Sequence, residues 1–164
     1  MKIFKCTFIL SALLLLFSTA CLAAGSIDQS GGAAAWGASK KIVTLPVTGD
    51  AADGSLAAVE LSDKIMNDLT EFLLASVCAY PTPDGTAPSA TTIAVTNAQG
   101  RDVLGGKGVS TALVPTSSEQ CTRPYNPFTG LYEYYEVEGP LSITGGTGNV
   151  GQEYTLKLIF LKAN

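Results

Sequence analysis

The stretch Glu153–Lys162, EYTLKLIFLK, constrains the chain more than any other. Tyr154, Leu156, Leu158 and Phe160 alternate with Thr155, Lys157, Ile159 and Leu161. A helix would scatter these four side chains around its circumference, whereas a strand puts them all on one face. An apolar strand face needs neighbouring strands beside it and a second layer to cover it. The same pattern recurs upstream. KKIVTLPVTG reads as a strand whose proline suits an edge or a bend, and DAADGSLAAVEL as a glycine turn followed by an apolar strand. In SDKIMNDLTEFLLASVCAY, Leu61, Ile65, Leu69 and Phe72 fall at helical spacing, with Ser62 as N-cap. Leu73, Ala75, Val77 and Ala79 then alternate with Leu74, Ser76, Cys78 and Tyr80. The reading is a short helix or helical turn over 62–69 and a strand over about 71–80.

Further strands are expected in ATTIAVTN, in a short return after the turn NAQG, in STALVP, in LYEYYEVEGPLSIT and in the final stretch, with PTPDGTAPS and SSEQCTRPYNPFTG as loops. About seven short strands separated by turn signals predict an all-β, mainly antiparallel, single domain: a β-sandwich or jelly-roll-like fold with one short helix.

The first 24 residues read as a secretory signal peptide. Lys2 and Lys5 precede an apolar run from Phe8 to Phe17, and small residues lead to Ala24. That run is shorter than the about 20 residues a membrane-spanning helix needs. Cys21 in STAC offers a second reading as a lipid-anchor site, although Ser18 stands where a larger aliphatic residue is usual. Residues 25–39, small and polar, are expected to form a flexible arm, with Trp36 tucked onto the domain of residues 40–164. The expected location is secreted or periplasmic.

Loss of the leader removes Lys2, Lys5, Cys6 and Cys21. The charge balance moves from 10 basic and 14 acidic residues to 8 and 14, a net −6. That disfavours a phosphate-backbone partner, which needs clustered Lys and Arg, so no nucleic-acid partner is expected. Cys78 and Cys121 remain, and two cysteines in an exported chain read as one disulfide.

The residues also narrow the chemistry. Gly146, Gly148 and Gly151 in GGTGNVG spell G-x-G-x-x-G, yet a strand pattern follows instead of the helix whose N-terminus would face a pyrophosphate. The run is expected to be a hairpin loop between the last two strands. The chain has no histidine, which removes Ser-His-Asp and Cys-His nucleophiles and histidine metal sites. Asp50 and Asp53 in GDAADG lack the alternating ligands of a calcium loop and read as a turn. Glu136 and Glu138 could share a strand face as a glycosidase carboxylate pair, but neighbouring acids on an exposed strand are usually solvated surface. The expectation is a chain without enzymatic activity, cofactor or metal.

The remaining cluster is aromatic. Arg123, Tyr125 and Phe128 lie on a proline-rich loop, and Tyr132, Tyr134 and Tyr135 follow it. Tyr and Arg present rigid amphipathic area at recognition surfaces, while the same residues could equally cover a core. Together these features predict an exported structural or assembly protein. It would act through surface and strand-edge contacts, by self-assembly or with protein partners. The alternative is a binding module recognising glycan or protein through residues 121–138.

SVCAYPTPDGTAPSATTIAVTNAQGRDVLGGKG carries Thr86-Ala87-Pro88, a strand over Thr91–Thr96, a polar turn over Asn97–Gly100, and Asp102-Val103-Leu104-Gly105-Gly106. In that order, and with the closing GPLSIT…GNVGQEYTLKLIFL, it resembles small β-rich proteins of tailed bacteriophages and prophages. The resemblance implies a β-rich fold and a structural role, and transfers no catalytic residues. The secretion signal and the CTRPYNPFTG loop depart from that pattern.

Overall fold

A computed structural model describes residues 24–35, 37–89, 91–110, 113 and 118–163. Residues 1–23 of the expected 1–24 leader and Trp36 lie outside the described residues, as does most of the strand expected at Ser110–Pro115. In chain order the elements are β1 (Ser26–Ile27), β2 (Ala33–Ala35), β3 (Lys40–Thr48), β4 (Leu56–Glu60), α1 (Asp63–Asp68), β5 (Phe72–Pro81) and β6 (Ile93–Thr96). They continue with α2 (Lys107–Ser110), β7 (Gln120–Thr122), β8 (Tyr125–Asn126), β9 (Leu131–Tyr132), β10 (Tyr135–Glu136), β11 (Ser142–Gly145) and β12 (Glu153–Lys162).

The alternation in the last strand does what it predicts. β12 is central to the main sheet, paired antiparallel with β3 on one side and β5 on the other. Its Tyr154, Leu156, Leu158 and Phe160 are fully buried, and burying side chains of this size contributes roughly 1.5–3 kcal/mol each. Val43, Leu45 and Val47 of β3 and Leu74, Val77 and Ala79 of β5 complete that inner face. The second sheet, in the order β4-β11-β6, supplies Leu56, Ile143, Ile93 and Val95 to the same core. Two sheets facing one core make an all-β, mainly antiparallel sandwich. Ile65 and Leu69 of the α1 segment close it at one side, together with Val103 and Leu104.

Five features differ from the sequence reading, each for a local reason. Residues 25–39 do not stand off as an arm: β1 pairs with Thr48 and Val47, and β2 with Val43, Ile42 and Lys41, along the outer edge of β3. Pro46 is therefore not on a bare edge. Its carbonyl accepts from Asp28 N–H at 2.9 Å in the gap between β1 and β2, where the missing proline N–H leaves no ladder bond broken.

The phase of β5 also changes partway. Ile159 pairs with Ser76 but Phe160 pairs with Leu74, so Ala75 is the extra residue of a β-bulge. Leu74 and Val77 thus both face inward, which unbroken alternation would forbid. The expected return strand after NAQG shrinks to one bridge, Thr96 with Asp102, because the Asp102 carboxylate caps the N–H groups of Leu104 and Gly106 and turns the chain into α2. α2 is a second short helix where one was expected.

The stretch 131–145 is not one strand. It is cut into β9, β10 and β11, which join three different sheets. Finally, β11 and β12 are not a hairpin, since β11 lies in the small sheet and β12 in the large one. GGTGNVG is the crossover between layers.

The bridge expected between Cys78 and Cys121 is present, joining directly opposed residues of β5 and β7. Cys78 lies between the inward-facing Val77 and Ala79, so the disulfide sits on the outer face of the main sheet. The Tyr154 hydroxyl is buried with no hydrogen-bond partner among the described residues, and burial pushes its ionisation well above the ordinary tyrosine range. Among the described residues, no helix is long and apolar enough to cross a membrane.

Candidate functional site

The site is built from the loop after the disulfide. β8 and β9 form a two-rung hairpin, Tyr125 opposite Tyr132 and Asn126 opposite Leu131. The turn chemistry is in YNPFTGLY: the Asn126 side-chain oxygen accepts from Phe128 N–H at 3.0 Å, and Gly130 N–H donates to the Asn126 carbonyl at 2.9 Å. Gly130 takes φ 72°, a conformation that costs other residues strain. Glu133 braces the turn by accepting from Thr129 Oγ1 and Asn126 Nδ2. On one face the Tyr125 and Tyr132 rings meet edge-on at 5.2 Å. Lys107 of α2 lies 4.2 Å from the Tyr125 ring centroid and 5.9 Å from that of Tyr132, a cation held over aromatic faces. Arg101 stands over Phe128 at 5.4 Å.

The six residues singled out in the sequence divide into two groups. Phe128, Tyr132 and Tyr134 are exposed, Phe128 to 86%, and Arg123 is exposed beside them. Tyr125 and Tyr135 are half-buried and hold the site together. Tyr135 pairs with Leu74 in the main sheet, and its hydroxyl accepts from Asn97 Nδ2 at 3.0 Å.

Between the hairpin and the main sheet runs a groove of about 560 Å³. Its floor is Ala75, Ser76 and Leu161; Tyr132 and Tyr134 form one wall and Cys121-Thr122-Arg123 the other. The gap exists because two short strands share one edge of β5. β10 pairs at Leu73 and Leu74, β7 pairs at Val77 to Ala79, and the bulge residue Ala75 lies between them with Ser76. Ser76 Oγ donates to the Thr122 carbonyl at 3.0 Å and ties the floor to the wall. A smaller pocket of about 150 Å³ lies on the other side of Tyr134, against Arg101 and Tyr125.

Other sequence candidates resolve differently. The N–H groups of Gly146, Gly148 and Gly151, which a phosphate cradle would need free, donate instead to Thr92, Asp53 and Asp50 carbonyls at 2.9, 2.8 and 3.0 Å. Those bonds stitch the crossover to its neighbouring loops. Asp50 and Asp53 accept from Ala52 and Ser55 N–H in a turn, and the Ser55 hydrogen bonds hold the Asp53 carboxyl below its ordinary range. Glu136 and Glu138 are exposed and line neither the groove nor the smaller pocket. Cys78, Glu119 and Cys121 cluster closely enough to suit a metal, but the two sulfurs are bonded to each other and Glu119 pairs with Lys157 at 3.5 Å.

Sequence reasoning missed Ser76, Leu161 and Lys107. Alternation puts Leu161 on the outer face of its strand, a weak signal. Nothing local marks Lys107, whose role depends on where α2 packs. Comparison with protein-family models, curated proteins and solved structures finds no match to the chain. The resemblance to phage-encoded proteins carries no part of the proposed function.

Proposed function

We propose that this is an extracytoplasmic, non-catalytic recognition protein that binds its partner through the aromatic hairpin and the groove beneath it. One observation carries the reading. Of the six large hydrophobic side chains exposed among the described residues, four (Phe128, Leu131, Tyr132 and Tyr134) fall within seven consecutive positions. Exposed apolar side chains scattered singly need no explanation, but four within seven positions of one braced loop do. Aromatic residues on a rigid turn bind at low entropic cost. The disulfide supports an oxidising compartment, and the lack of any histidine is consistent with binding in place of catalysis.

Assembly through a strand edge is the second reading. β4 pairs only with β11, which leaves its other edge without a partner strand among the described residues. Against it stand the register shift opposite Ile143–Gly145 and the exposed Glu60, features that discourage edge pairing.

The test replaces Phe128 and Tyr132 together by serine. Binding on a glycan array, or concentration-dependent association by light scattering, should be present in the parent protein and lost in the variant at an unchanged thermal midpoint. A parent protein that stays monomeric and blank on the array, or a variant that behaves as the parent does, refutes the reading.

A further inference from the structure

We infer that the groove under the hairpin takes an acidic sugar, a uronic-acid residue of a glycan, with Arg123 on its carboxylate; this rests on the recognition role proposed above and names the ligand class. The charge distribution leads to it. Among the described residues Arg123 is the only charged one lining the groove, in a chain of net charge −4. Among the described residues the ion pairs are Lys157–Glu119 and Lys162–Glu71, and neither involves Arg123. The carboxylate nearest in sequence, Glu119, lies close to Cys121 of the wall but pairs with Lys157 at 3.5 Å, and Glu133 on the hairpin accepts from Thr129 and Asn126; neither lines the groove. An exposed guanidinium in a groove, with no ion-pair partner among the described residues, is complementary to an anion, and its planar fork matches a carboxylate in two-point fashion.

The walls narrow the anion further. Tyr132 and Tyr134 supply aromatic surface and hydroxyls along one wall. The aromatic wall, with the Ser76 hydroxyl in the floor already donated to the Thr122 carbonyl, suits a flat ring that stacks through its C–H faces and keeps its hydroxyl rim toward solvent. An acidic peptide fits less well. It would add to the free edge of β5, yet β10 and β7 already occupy that edge at 73–74 and 77–79, leaving only Ala75 and Ser76. Strand addition needs a longer run of unpaired backbone. A nucleic-acid backbone would need several cations where the groove supplies one.

The experiment is calorimetric titration of the purified protein with an oligogalacturonide, with its carboxyl-reduced neutral counterpart, and with an acidic peptide of similar length. The uronide should bind at least about tenfold more tightly than the neutral form, the difference expected for one charge-assisted contact, and should weaken in high salt. Arg123→Gln should bind both sugars equally, Arg123→Lys should keep part of the preference, and Tyr134→Ala, at an exposed position that does not threaten the fold, should lose both. Equal binding of the neutral sugar, a preference that survives Arg123→Gln, tighter binding of the peptide, or no binding of either sugar overturns the inference. If a partner is still lost on replacing Phe128 and Tyr132 while Arg123→Gln has no effect, the uronide assignment falls and the hairpin reading stands.

Discussion

Replacing Gln152 by alanine should be among the most costly single changes outside the apolar core. Gln152 is fully buried where three loops meet. Its Nε2 donates to the Gly54 carbonyl at 2.7 Å, and its Oε1 accepts from Thr91 Oγ1 at 3.0 Å and Ser89 N–H at 3.3 Å. Three neutral hydrogen bonds contribute about 3 kcal/mol net, and a stranded buried partner such as the Gly54 carbonyl adds about 1 kcal/mol more. The expected loss of about 4 kcal/mol is a large share of the 5–15 kcal/mol typical of a domain. Urea unfolding followed by far-ultraviolet circular dichroism measures it directly.

The isosteric Gln152→Glu sharpens the test. It turns the donor facing the Gly54 carbonyl into an acceptor, and burial raises the new carboxyl's pKa in the folded state. The folded protein then binds more protons than the unfolded one, so the variant's stability falls as pH rises through that raised pKa and recovers on acidification. A cost below about 1 kcal/mol for Gln152→Ala, or a Gln152→Glu variant whose stability is flat with pH, would refute the idea that this side chain locks the loops.

Three further outcomes follow from the same structure. Removing the disulfide by Cys78→Ala with Cys121→Ala frees a loop with a sequence separation of 43, worth about 4 kcal/mol with a steeper urea dependence; an unchanged midpoint would contradict this. Gly148→Ala places a methyl group against the Gln152 side chain and Thr91 Oγ1, so thermal melting should show a loss of about 2 kcal/mol. Tyr154→Phe deletes a buried hydroxyl without a partner among the described residues and should leave stability unchanged or raise it by up to about 1 kcal/mol; a clear loss by the same melt would point to a hidden partner.

Much of this fold is legible in the sequence, because β3, β5 and β12 are long enough for alternation to dominate local preference. The cysteine pair was readable for a different reason: the expected leader holds the other two cysteines, which left Cys78 and Cys121 to each other, on strands that are neighbours. What escaped depends on pairing. Alternation says that a strand has an inner face but not which sheet it joins, so the crossover from β11 to β12 looked like a hairpin. A bulge has no sequence mark when its extra residue is an alanine, and Ala75 hid both the phase change and the groove above it. Of the site, the exposed aromatics and Arg123 were visible, since Tyr and Phe beside Pro and Gly stand out. Ser76 and Lys107 came from distant segments and needed the fold to bring them together.

The direction of β12 gives the molecule a polarity. Ser26 of β1 lies opposite Thr48, which in turn faces Glu153 at the start of β12, while Leu161 in the groove floor lies eight residues further along the same strand. At the rise of an extended chain that separates them by roughly 26 Å. Residues 24–25 reach Ser26 from the end where Gln152 clasps its loops, with Gly25 against Asp50, Ser55 and Leu56. A protein held to a surface from that end would carry its arginine and tyrosines outward, at the far tip, where a polymer in the surrounding medium meets them first.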